Sequence, residues 1–167
     1  MKKFFRSITL LTLLSSLILP VSADSRKTII GKTAPSFVLP NIKGQQKKLS
    51  DWKNRFIVLN FWATWCTPCK KEIPLFNEFQ NSFSDDVQFI GIAIDNKKDV
   101  EKFSQLIPLN YPNLLGGLNA SQLIMTYGNN AGVLPYTVFI NRSGKIVTVA
   151  SGEINKKFLL ETLEKYL

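Results

Sequence analysis

The chain has 167 residues, 45% of them hydrophobic, with 21 Lys and Arg against 12 Asp and Glu, two cysteines and no histidine. That length suits one domain with a short appendage and supplies ample apolar material for a core. The missing histidine excludes Ser-His-Asp and Cys-His hydrolysis, imidazole-bound zinc or copper and proximal-His haem, and two thiols are too few for a four-cysteine zinc or iron–sulfur site.

Lys2, Lys3 and Arg6 precede an apolar run from Ile8 to Leu19; Pro20 breaks the run, and Val21-Ser22-Ala23 offers small residues for cleavage before Asp24. This is the pattern of a secretory signal peptide over residues 1–23, so the protein is expected to be exported to a periplasmic or other extracytoplasmic space. An uncleaved N-terminal membrane anchor is the alternative. The run carries Thr9, Thr12, Ser15 and Ser16 and falls short of the roughly 20 residues of a spanning helix, which favours cleavage after Ala23. Without the signal the chain holds 18 basic and 12 acidic groups, a net charge of +6. Lys43, Lys47, Lys48 and Lys53 fall in an N-terminal loop region, and Lys156, Lys157 and Lys165 fall on a C-terminal helix. Scattered lysines without interleaved aromatics make no nucleic-acid footprint, so no nucleic-acid partner is expected.

No repeat or linker divides the remainder, which reads as one domain. Phe56 to Trp62 and Val87 to Ile94 are short, nearly continuous apolar runs, the signature of strands covered on both faces. Between them Ile73, Phe76, Phe79 and Phe83 recur at helical spacing, which makes a βαβ unit with parallel strands. Pro74 inside that helix predicts a kink. Val100, Phe103 and Ile107 mark a second helix, and Leu123 with Tyr127 a weaker third ended by Gly128. Tyr136 to Ile140 and Ile146 to Ala150 flank Asn141-Arg142-Ser143-Gly144 as an antiparallel hairpin, and Leu159, Leu163 and Tyr166 close the chain with a helix. The order describes an α/β sandwich: a mixed central sheet flanked by helices.

Both cysteines lie in Trp65-Cys66-Thr67-Pro68-Cys69, where the first strand ends and the first helix starts. A Cys at a helix N-terminus meets unpaired backbone N–H groups and the positive end of the helix dipole, which favour thiolate over thiol. Pro68 suits the first turn, where its missing N–H costs nothing. Cys66, the leading and more exposed residue, is the expected nucleophile, and Cys69, one turn deeper, resolves the mixed disulfide. An inert staple is the bland alternative, but so short a ring constrains little of the unfolded chain. Half of a metal site is another, and nothing else in the sequence completes one, so no metal or other cofactor is expected. CxxC beside a βαβ pattern reads as a redox pair.

The segment Phe61 to Lys70, followed by Gly132-Val133-Leu134-Pro135-Tyr136, resembles the thioredoxin superfamily, and within it the exported TlpA/ResA/CcmG-like thiol-disulfide oxidoreductases of the AhpC/TSA-Redoxin type. Gly31 to Phe37, Leu49 to Trp52 and Cys69 to Pro74 add to the match, which spans about residues 29–167. The resemblance implies a thioredoxin-like three-layer sandwich with an N-terminal extension. It implies that Pro135 is a cis-proline against the CxxC, that Leu134 offers backbone to a bound client, and that Trp65 packs beside the exposed sulfur. Asn60 departs from thioredoxin, which has a buried aspartate there as proton acceptor for the second cysteine. Glu72, three residues after Cys69 on the same helical face, is the expected replacement; the alternative is a solvated glutamate paired with a lysine.

The resemblance further implies client proteins with cysteine thiols or disulfides, in cytochrome c maturation or a similar assembly process. It also implies electrons from a membrane thiol-transfer protein of the CcdA/DsbD kind. The Thr67-Pro68 dipeptide resembles reducing centres, so a reductase is expected, acting as a monomer. Two rivals remain at this stage. A thiol peroxidase would carry threonine where Ala63 stands, and a non-catalytic client-binding assembly module would not need its thiols. The segment Asp95 to Leu118 is longer than a thioredoxin requires and is a candidate for shaping partner choice.

Overall fold

A computed structural model of the chain describes residues 29–167; the signal expected over residues 1–23 lies outside the described residues. Two seven-residue strands, β3 (Phe56–Trp62) and β4 (Val87–Ala93), form the centre, and every residue of both is buried. That explains their unbroken apolar sequence, since neither face meets water. They run parallel, Phe56 opposite Val87 and Trp62 opposite Ala93, and helix α1 (Thr67–Ser82) makes the crossover. The chain then passes through α2 (Lys97–Leu106) to the parallel edge strand β5 (Asn113–Leu115), and on to α3 (Ala120–Thr126). It returns antiparallel through β6 (Tyr136–Ile140) beside β3, β7 (Ile146–Ser151) at the other edge, and the closing helix α4 (Lys156–Tyr166). The five-stranded order is β5-β4-β3-β6-β7.

Alternation along the strands separates two apolar layers. Phe56 and Val58 of β3, Phe89 of β4 and Phe139 of β6 pack against Phe76 and Phe79 of α1 and Leu159 and Leu163 of α4. On the opposite face Ile57, Leu59, Phe61, Ile90 and Ile92 pack against Ala120 and Ile124 of α3 and against Ala34 and Phe37. A third cluster sits at the C-terminal end of β3, where Trp62, Cys66, Cys69 and Ile73 meet Val100 and Phe103 of α2. This is the three-layer, thioredoxin-like α/β sandwich expected from the sequence. Helix α1 continues through Pro74 as one element, although the proline removes the N–H that Lys70's carbonyl would accept.

Some short elements leave no periodic signal. β1 (Val38–Pro40) and β2 (Gln46–Lys48) form a hairpin outside the main sheet, so Lys47 and Lys48 stand on a strand rather than in the loop region expected. Asn41 shapes its turn, its Oδ1 accepting the N–H groups of Lys43 and Gln45 at 3.0 Å each. The segment 95–118 is built into the fold by α2 and β5. An Asn41–Leu114 bridge sets the hairpin against β5, and the 31–34 stretch lies along the start of β7, where Gly31 N–H reaches Ile146 O at 2.7 Å. Both sheet edges are thereby partly covered.

Gly91 of β4 lies beside Asn60 of β3. A Cβ at position 91 would stand 2.0 Å from Asn113 Oδ1 and 2.9 Å from Trp62 Nε1. Glycine leaves room there for the Trp62 indole N–H to donate to Asn113 Oδ1 at 3.0 Å, which holds the tryptophan beneath the start of α1.

Candidate active site

β3 ends at Trp62, and four residues later Cys66 caps α1 with extended backbone angles (φ −82°, ψ 105°). Its Sγ accepts the backbone N–H of Cys69 at 3.3 Å. Sulfur therefore takes the place that a Ser or Asp oxygen takes in an ordinary helix cap, and a negative charge on it is favoured by that N–H and by the helix dipole. Pro68 occupies the first turn. Cys66 and Cys69 are joined as a disulfide with Cα atoms 5.3 Å apart. Cys66 keeps 5% of its surface exposed and Cys69 none. Asp95, from the end of β4, accepts the Thr64 N–H at 2.6 Å and ties the approach to the dithiol to the sheet.

The Leu134–Pro135 peptide bond is cis. Pro135 is buried, and half-buried Leu134 packs against the cluster that holds both cysteines. Trp65 is 66% exposed. Its ring stands in solvent beside the chain position of Cys66.

Glu72 lies one turn beyond Cys69 in α1 with only 1% of its surface exposed. Its Oε1 accepts the Asn60 Nδ2–H at 2.8 Å, and its Oε2 accepts the Ile154 N–H at 3.1 Å. Asn60 Nδ2 also donates to Thr137 Oγ1 at 3.0 Å. Among the described residues no lysine pairs with this carboxyl. Burial pushes its pKa up to about 8; the Ile154 and Asn60 hydrogen bonds hold it down in part, and the Glu153 charge adds to the rise. Tyr111, packed between Phe76 and Phe89, is pushed upward by burial and then by the charge on Glu72. Its hydroxyl and Asn60 Oδ1 are buried without a hydrogen-bond partner among the described residues.

The fold brings Cys66, Cys69 and Leu134 into one apolar cluster and places Glu72 on the buried side of the same helix. Sequence reading missed that Asn60, noted only for not being an acid, is itself a partner of Glu72. It also missed Thr137 and the Ile154 N–H, which no local motif announces.

A helix-capping dithiol on this sheet is suited to disulfide exchange, and the chain is by class a thiol-disulfide oxidoreductase of thioredoxin-like fold. Residues 30–149 match the AhpC/TSA family, to which the chain belongs. It is 33% identical over 165 residues to thiol-disulfide oxidoreductase ResA of Geobacillus thermodenitrificans, covering 95% of this chain and 92% of that protein. Among solved structures it resembles one described as thiol:disulfide interchange protein DsbE from Chlorobium tepidum, with TM-score 0.71 and 29% identity over 81% of this chain and 93% of that one. The pneumococcal exposed lipoprotein thioredoxin from Streptococcus pneumoniae is similar at TM-score 0.68 and 26% identity, over 78% of this chain and 99% of that one.

Proposed function

We propose that the chain, as one domain over residues 29–167 behind an export signal, reduces disulfides in extracytoplasmic client proteins. The observation that carries this reading is the Cys66 sulfur capping α1 and accepting the Cys69 N–H, in the apolar cluster against which Leu134 packs. In the reduced protein the Cys66 thiolate attacks one sulfur of a client disulfide; that S–S bond breaks and the other client sulfur leaves as a thiolate, which takes a proton from water. Cys69 then gives its proton to the Glu72 carboxylate and attacks the Cys66 sulfur. The second client thiol departs, and the protein holds the Cys66–Cys69 disulfide. Two electrons have passed to the client. With its pKa near 8, Glu72 stands close to an ordinary thiol, so the proton can move either way at little cost.

Leu134 offers backbone and Trp65 an exposed aromatic face to the client. The composition of residues 1–23 supports export, and the likeness to an exposed lipoprotein agrees with it. Among the described residues no helix is long and apolar enough to cross a membrane. Reducing work in an oxidising compartment needs an electron source, which we assign to a membrane thiol-transfer protein of the CcdA/DsbD kind. Cytochrome c maturation or a similar thiol-dependent assembly is the proposed setting. The reduction potential against glutathione tests the direction: a value nearer thioredoxin's roughly −270 mV than the roughly −120 mV of DsbA is expected. A potential near the latter would make the protein an oxidant and overturn the reductase reading.

A further inference from the structure

The loop that leads into the cis-proline is built around one side chain. Helix α3 ends in a Schellman turn, with Gly128 at φ 86°, its N–H on Met125 O at 2.9 Å and the Asn129 N–H on Ile124 O at 3.2 Å. Asn129 is 95% buried, and all of its polar groups are engaged. Its backbone O accepts the Gly132 N–H at 3.3 Å. Its Nδ2 donates to Val133 O at 2.7 Å, and its Oδ1 accepts the Val133 N–H at 3.2 Å. One amide thus closes on both polar groups of Val133 as a sheet neighbour would, and ties them to the end of α3.

The next peptide is different. Among the described residues no hydrogen bond engages the backbone of Leu134, although Leu134 packs against the cysteine cluster. Pro135 is anchored again by Gly152, whose N–H reaches Pro135 O at 2.8 Å. One unpaired main-chain unit, Leu134, is therefore left between two fixed ones, beside the sulfurs. Val133, its backbone consumed, turns 45% of its surface to solvent. An extended polypeptide that pairs with Leu134 meets a rigid edge, and ordering that edge on binding costs nothing further.

We propose that Asn129 is a positioning residue for polypeptide clients, holding Val133 so that the Leu134 backbone is presented to a client strand. This rests on the reductase reading above. A small disulfide needs only Cys66; a polypeptide needs the Leu134 edge as well. Asn129 therefore sets the preference for polypeptide over small-molecule disulfides.

The test uses the pre-reduced protein and two probes, insulin as a polypeptide disulfide and 5,5′-dithiobis(2-nitrobenzoate) as a small one. Asn129→Ala is expected to lower the ratio of the two second-order rate constants, insulin over small disulfide, about tenfold. Asn129→Asp, which keeps the acceptor for the Val133 N–H and loses the donor to its carbonyl, is expected to lower it by less. The Val133 amide, on an exposed residue, is expected to exchange slowly in the wild type and fast in Asn129→Ala. Parallel loss of both rates, an unchanged ratio, or fast Val133 exchange in the wild type would each overturn the proposal. That last measurement needs no variant, so a variant that fails to fold does not remove the test. Wild-type protein that fails to reduce insulin would instead overturn the reductase reading beneath it.

Discussion

Cys66 and Cys69 belong to one helical turn but face different surroundings. Around Cys66 lie an exposed indole, the Leu134 backbone, which has no hydrogen-bond partner among the described residues, and a loop fixed by Asn129. Around Cys69 there is no water-facing surface at all, and its neighbour one turn on is a carboxyl held by Asn60 and Ile154. On the function proposed above, the outer region would recognise clients and the inner region would handle a proton. Changes outside should alter which clients react while leaving pH dependence alone, and changes inside should do the reverse.

The division fails most visibly if Cys69 is not the resolving residue. Cys69→Ser should abolish turnover while Cys66 still attacks, so a client mixed disulfide accumulates as a reductant-sensitive band of higher mass. Sustained turnover by this variant would mean that attack and resolution are not divided between the two sulfurs.

Glu72→Gln should slow steps that need Cys69 deprotonated by roughly 100-fold, and flatten the rate profile near pH 8, with small and polypeptide disulfides affected alike. The same variant has a stability signature. The folded-state pKa of Glu72, about 8, lies above the ordinary 4.5, so the native protein binds this proton more tightly than the unfolded chain does. The contribution of Glu72 to wild-type stability should be full below about pH 4.5 and be lost as pH rises toward about 8, by roughly 3–5 kcal/mol. Gln has no proton to lose, so the variant should escape the decline. Denaturant midpoints across that window that run parallel for both proteins would show that the carboxyl titrates normally.

Tyr111→Phe should do almost nothing. It keeps the packing against Phe76 and Phe89 and deletes a buried hydroxyl that has no hydrogen-bond partner among the described residues, so stability should move by no more than about 0.5 kcal/mol or improve slightly. A large loss in thermal unfolding would place that hydroxyl inside the proton-handling network.

β3 and β4 were legible because double coverage makes a strand apolar throughout, and α1 because Ile73, Phe76, Phe79 and Phe83 repeat at its own period. The dithiol was legible because its chemistry requires a spacing. β1, β2 and β5 have three residues each, too few to show any period. Glu72 illustrates the deeper limit: a glutamate one turn after a cysteine looks the same buried or solvated. What decides is contact with residues 12 and 82 positions away. Asn129 is hidden for a related reason, because its grip on Val133 depends on a loop bent at Gly128 and Gly132, both at positive φ.

Gly91 shows what such a site demands of positions that take no part in its chemistry. Mid-strand in a central sheet, the residue types that favour strands are Val and Ile, and here even alanine collides with the Asn113 amide and the Trp62 indole. In a library of variants, position 91 should tolerate almost nothing but glycine, a restriction as severe as that on the cysteines themselves. A survey of tolerated substitutions would mark it as essential although it touches neither sulfur nor client.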